Sequence, residues 1–149
     1  MPIKILAIGD EVATLDSLAH TLEGYGFQLT RAWYGPEGFS GMPNEKPEVV
    51  VMDLRPPIVE VWEACRRFSS HCDVPILVLS ANDSPSAVTA ALEAGADDYL
   101  IKPVSTGVLV AHINNLARRA IAQRNLNPIT RPVSSRLLQN LLQSPDNPQ

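Results

Sequence analysis

Five polar residues in this chain stand where chemistry on a carboxylate would need them. Asp10 and Glu11 directly follow one strand-like apolar run, Asp53 follows another, Ser80 a third and Lys102 a fourth. In an open α/β sheet, ligands bind outside the carboxyl ends of the strands. These acids, the hydroxyl and the ammonium would therefore converge on one edge. The set suits phosphoryl chemistry. Asp53 is placed as the nucleophile, Asp10 as the acid that shares a divalent cation with it, and Ser80 and Lys102 as holders of phosphoryl oxygens while charge develops on them. A single polar residue at a strand end can simply mark where the chain leaves the core. Several such residues, each directly after a buried run, weigh against that reading.

The elements that must position these residues are legible as short runs. Ile3–Ile8, Val49–Met52, Ile76–Leu79 and Tyr99–Ile101 are largely apolar and rich in β-branched residues. They are nearly continuous rather than alternating, the pattern of strands buried on both faces. A fifth run, Phe27–Ala32, alternates like an edge strand. Between them, Val12, Leu15, Leu18, Ala19 and Leu22 mark one helix face, which Gly24 or Gly26 ends. Val61, Ala64, Cys65 and Phe68 mark a second face; Val88, Ala91, Leu92 and Gly95 mark a third, begun by Ser84 as N-cap and Pro85 at the first helical position. Val108–Gln123 is the longest helical stretch. A helix over Tyr34–Lys46 would be weakly specified, because that segment holds three glycines and two prolines. Five alternations of strand and helix predict a doubly wound, three-layer α/β/α fold on a parallel five-stranded sheet.

Composition narrows the rest. With 149 residues, one domain or one domain with an appendage is expected, and 45% hydrophobic content supplies a packed core. A net charge of −4 argues against direct nucleic-acid binding, and no apolar stretch is long enough to cross a membrane. Cys65 and Cys72 complete no zinc set, so reduced thiols in a cytoplasm are expected. After Arg124 the chain turns rich in Pro, Ser, Asn and Gln, with an apolar island at Leu137–Leu142. The expected division is a folded unit over 1–124 and a tail over 125–149, with a short helix at 134–143.

The stretches PILVLSAND and ALEAGADDYLIKP, with VVVMDLRPP and WEACRRF upstream, resemble the receiver domain of two-component response regulators over residues 3–122. The resemblance implies a flavodoxin-like (βα)5 fold in which Asp53 accepts a phosphoryl group from a histidine kinase or phosphotransfer protein. It implies that Lys102 pairs with that group and that Lys102–Pro103 is cis. Ser80 and Tyr99 would form the switch, the hydroxyl moving to the phosphoryl oxygen and the ring turning inward behind it. Mg²⁺ would be held by Asp10, Asp53 and the backbone carbonyl of Arg55. Such a protein is no metabolic enzyme; it catalyses at most its own phosphorylation and dephosphorylation, and acts by protein–protein contact.

The departures bear on the metal. Where the family has two adjacent acids this chain has Gly9 and Asp10, and losing the outer acid resembles a deletion that weakens metal affinity roughly 10–100-fold. Glu11 is a candidate to compensate through water. The Arg55 side chain reads as a solvated surface group, the alternative being that it leans over the pocket to pair with Asp10 or Glu60. Pro56–Pro57 stiffens the loop where the family has glycines. The output face, Ser84–Gly95 with Asp98–Ile101 and Val108–Gln123, carries Glu93, Asp97 and Arg118, but His112 and Asn114 stand where arginines are common. A salt-bridged homodimer is therefore disfavoured, while a downstream partner or second copy on a more apolar version of that face stays open. A tail of about 25 residues is too short for a DNA-binding output domain. The rival readings are a phosphorylation-independent pseudo-receiver and a flavodoxin-like enzyme; no Gly-rich phosphate loop supports the latter.

Overall fold

The computed structural model describes residues 2–55 and 58–126, without the side chains of 58–60 and 126. Nearly all of the anticipated tail, its short helix at 134–143, Pro56–Pro57 and the Glu60 side chain lie outside these. The continuous apolar runs become β1 (Lys4–Gly9), β4 (Val49–Asp53), β5 (Ile76–Ser80) and β6 (Asp98–Ile101), with β2 (Gln28–Gly35) and β3 (Gly38–Ser40) before β4. The helices are α1 (Val12–Glu23), α2 (Ile58–His71), α3 (Pro85–Glu93) and α4 (Thr106–Leu126). The strand order is β3-β2-β1-β4-β5-β6, parallel except at β2–β3. The chain thus winds outward from β1 in both directions, and the point of reversal lies between β1 and β4. Among the described residues no helix is long and apolar enough to cross a membrane.

The α/β doubly wound class is as expected, with one correction. The described residues form six strands and four helices, not five of each, because Tyr34–Lys46 forms no helix. Gly35 pairs with Gly38 around Pro36–Glu37, and Gly38 takes φ +95°, a conformation that favours glycine. The hairpin does the burying that a helix would have done. Tyr34 lies opposite Phe39 with ring centroids 4.7 Å apart, and Phe39 meets Phe68 of α2 edge-on at 6.0 Å. The edge expected at Phe27–Ala32 is thereby displaced to β3, whose pairing covers Trp33–Gly35.

Two cores lie on opposite faces of the sheet. Leu109, Ile113 and Leu116 of α4 and Leu22 of α1 pack on Ile5, Val49, Val51 and Leu77; Ala64, Cys65 and Phe68 of α2 and Ala91 of α3 pack on Leu6, Ile8, Val50 and Val78. The helix α3 is rotated slightly from the expected face. It buries Ala87 and Ala91, while Leu92 is exposed. Its end lies close to α2. A side chain at Gly95 (φ +123°) would fall 2.3 Å from Ser69 Oγ, whose hydroxyl donates to the Ala94 carbonyl at 2.9 Å.

Cys65 is fully buried, and that burial, with a smaller contribution from Asp97, pushes its thiol up to about 12. Between pH 9 and 12 the unfolded chain gives up this proton and the folded chain keeps it, so stability falls as pH rises through that window. Melting temperatures measured from pH 8 to 11 should therefore drop more steeply for the native chain than for Cys65→Ala.

Candidate functional site

Register brings the candidate residues together. Gly9 of β1 lies beside Asp53 of β4, Asp53 beside Leu79 of β5, and Ser80 beside Ile101 of β6. Asp10, Asp53, Ser80 and Lys102 therefore leave adjacent strands at one end of the sheet. Asp53 is buried, its side chain only 5% exposed. Lys102 Nζ donates to Asp53 Oδ1 at 2.6 Å. Lys102–Pro103 is cis, as the resemblance implied, and the Lys102 amide donates to the Ser80 carbonyl at 2.9 Å. An open groove of about 740 Å³ leads to Asp53 and Lys102, with Thr14 and Ser17 of α1 on one side and Thr106 and Leu109 of α4 on the other.

The Ser80 hydroxyl is buried and accepts from the Asn82 amide at 3.1 Å. The Asn82 side chain in turn accepts from the Ser84 amide at 3.0 Å, and Ser84 caps α3 through the Ala87 amide at 3.2 Å. Tyr99 packs against the core on the α2–α3 face, and its hydroxyl donates to the Asn82 carbonyl at 2.7 Å. Ser80, the following loop and Tyr99 thus form one hydrogen-bonded unit. Asn82 is its hinge and was not anticipated: Tyr99 meets it through a backbone carbonyl, which no residue type signals.

On the acidic side, the alternative reading of Arg55, pairing with Asp10, is the one the structure shows. Arg55 is not a free surface group. Its Nε lies 3.4 Å from Asp10 Oδ1, its Nη1 donates to Glu11 Oε2 at 3.3 Å, and its amide donates to Asp10 Oδ2 at 3.3 Å. Thr14 donates its hydroxyl to the other Glu11 oxygen. Asp10 Oδ1 is buried and accepts no hydrogen bond. A Cβ at Gly9 would meet Leu15 Cδ1 at 3.2 Å and the Asp53 carbonyl at 3.4 Å, so local packing is adapted to the missing acid.

Several charged residues of the face opposite the hairpin are engaged within the chain. The Asp97 carboxylate accepts from the Ile76 amide at 2.8 Å, His112 Nδ1 lies 2.5 Å from Asp98 Oδ2, and Arg118 donates to Asn115 at 3.2 Å. Leu92, Ile101 and Val108 are exposed there.

The family model described as the response regulator receiver domain matches residues 5–114. The "Response regulator MprA" of Mycobacterium sp. (strain KMS) is 37% identical over 147 aligned positions, which cover 90% of this chain and 64% of that protein. The protein of the same name from Mycobacterium leprae (strain TN) is 36% identical over 145, covering 89% and 64%. The chain thus spans less than two thirds of the length of these relatives. Among solved structures, a putative response regulator from Chloroflexus aurantiacus J-10-fl superposes with a TM-score of 0.64 at 27% identity, covering 79% of this chain and 99% of that one. A CheY-like receiver domain protein from Methanospirillum hungatei JF-1 shares the fold at a TM-score of 0.65 and 22% identity, over 83% and 99% of the two chains. A doubly wound sheet with an acid, a hydroxyl and a lysine at adjacent strand ends is thus matched by sequence over most of its length, and the chain belongs to the response regulator receiver domains of two-component signalling.

Proposed function

We propose that this chain is a phosphorylation-responsive switch in which Asp53 accepts a phosphoryl group from a phosphohistidine of a kinase or phosphotransfer protein. The observation that carries the reading is the 2.6 Å contact of Lys102 with a buried Asp53 at the foot of an open groove. Lys102 holds one carboxylate oxygen and leaves the other to attack phosphorus. The new O–P bond forms as the donor's P–N bond breaks, and the imidazole leaves. Charge on the transferring group is met by the Lys102 ammonium and the Ser80 hydroxyl.

The donor set fits Mg²⁺: two carboxylates, Asp10 and Asp53, with the Arg55 carbonyl are the hard oxygens it takes, water completing the shell. The buried Asp10 Oδ1, which accepts no hydrogen bond and meets Arg55 only in a 3.4 Å ion pair, is an acceptor that such an ion would satisfy. When bound, the ion would neutralise charge on the phosphoryl oxygens. Glu11 stands beside this set as a contributor through water.

Ser80 and Tyr99 read phosphorylation out. A hydroxyl drawn to a phosphoryl oxygen releases the Asn82 amide, and so loosens the loop whose carbonyl holds Tyr99. The output is contact of the face over residues 84–95, 98–101 and 108–123 with a downstream protein or a second copy, in the cytoplasm. The receiver unit is assigned to residues 1–124, leaving the Pro-, Ser-, Asn- and Gln-rich segment 125–149 outside it. Two-dimensional NMR with a small phosphodonor and Mg²⁺ tests the coupling. Amide shifts at Ser80–Ser84 together with a shift of the Tyr99 ring are expected in the native chain and not in Asp53→Asn. Shifts confined to residues around Asp53 would contradict the switch.

A further inference from the structure

The side chain of Arg55 occupies the acidic half of the pocket. It lies on Asp10 and Glu11, while Asp53 is held from the other side by Lys102. The two cations divide the carboxylates between them. This arrangement coincides with Gly9, where an acid is missing: the pocket has one carboxylate fewer than the family pattern implies, and a guanidinium stands over those that remain on that side. Three facing carboxylates, Asp10, Glu11 and Asp53, are opposed by two cations already part of the chain.

We propose that Arg55 is the resident counter-cation of the metal pocket, which a divalent ion must displace from Asp10 before it can bind. The inference rests on reading Asp10 and Asp53 as the Mg²⁺ ligands. Both ions seek the same oxygens, because a guanidinium over Asp10 Oδ1 and a metal on that atom exclude each other. The arginine is positioned by its own backbone. The Arg55 amide donates to Asp10 Oδ2, so the side chain starts beside the carboxylate it covers. Nor is it locked in. The side chain is 60% exposed, and its ion pairs of 3.3 and 3.4 Å are long, so it is a displaceable gate. Charge, not bulk, is what competes, and the resting chain is thereby kept neutralised where magnesium is scarce.

Calorimetric titration of MgCl₂ into the full chain tests this without any phosphoryl transfer. Arg55→Ala and the volume-matched Arg55→Gln should each bind Mg²⁺ about fivefold to tenfold more tightly than the native chain, the range for charges about 4 Å apart in water-like surroundings. Adding Asp10→Asn to either should remove the gain. Equal Mg²⁺ affinity in native and both variants, with melting curves showing all three folded, would overturn the proposal. So would a gain in Arg55→Ala alone, which would mean steric cover, or a gain that survives Asp10→Asn. Phosphoryl uptake on Asp53 is scored separately by mass. A chain that takes up the group yet shows no Arg55 effect on Mg²⁺ loses this proposal and keeps the acceptor reading.

Discussion

Replacing Lys102 by alanine slows phosphoryl uptake from a small donor about a hundredfold, the scale on which removal of one preorganised charge-stabilising donor acts. Lys102 Nζ lies 2.6 Å from Asp53 Oδ1. In the proposed transfer it would orient the attacking carboxylate and meet the negative charge that accumulates as phosphorus changes partners. Lys102→Arg retains charge but carries it on a planar fork that does not fit a point contact, so it recovers only part of the rate. The measurement is the time course of phosphorylated fraction at fixed donor and Mg²⁺. A rate within a factor of two of native in Lys102→Ala would show that the lysine has no part in the transfer.

Phe68→Ala lowers stability by about 3–5 kcal/mol, the range for truncating a buried aromatic residue. Phe68 is fully buried on α2 and is the ring against which Phe39 of the hairpin packs. Its loss opens a cavity where α2, β4 and the β2–β3 hairpin meet. A melting temperature lower by roughly 10–20 °C follows for a unit of this size. Leu92→Ala on the exposed side of α3 serves as the control and should stay within about 0.5 kcal/mol of native. If Phe68→Ala cost no more than that control, the hairpin would not be part of the cooperative core.

How far the chain could be read in advance depended on which part of a residue does the work. Asp53, Ser80 and Lys102 were legible because each ends a continuous apolar run, and parallel register sets those ends side by side. The β2–β3 hairpin was not. Glycine and proline show that Tyr34–Lys46 is a poor helix, but the pairing that replaces it depends on Phe39 reaching Phe68, 29 residues along the chain. The face of α3 is rotated from the expected one for a related reason. Hydrophobicity favours Val88 and Leu92, whereas the close approach of α2 at Gly95 leaves room for the alanine row. For Arg55 the sequence offers both a solvated side chain and a pairing with Asp10, and does not choose between them because Asp10 and Glu11 follow a different strand; the backbone path after Asp53 brings them within reach.

Asp53 is the group proposed to be phosphorylated, and intact-mass spectrometry tests that assignment most directly. With a small phosphodonor and Mg²⁺, the native chain should gain the mass of one phosphoryl group, Asp53→Asn should gain none, and peptide mapping should place the group on the segment containing Asp53. No gain in the native chain at any Mg²⁺ concentration, or an equal gain in Asp53→Asn, would contradict it.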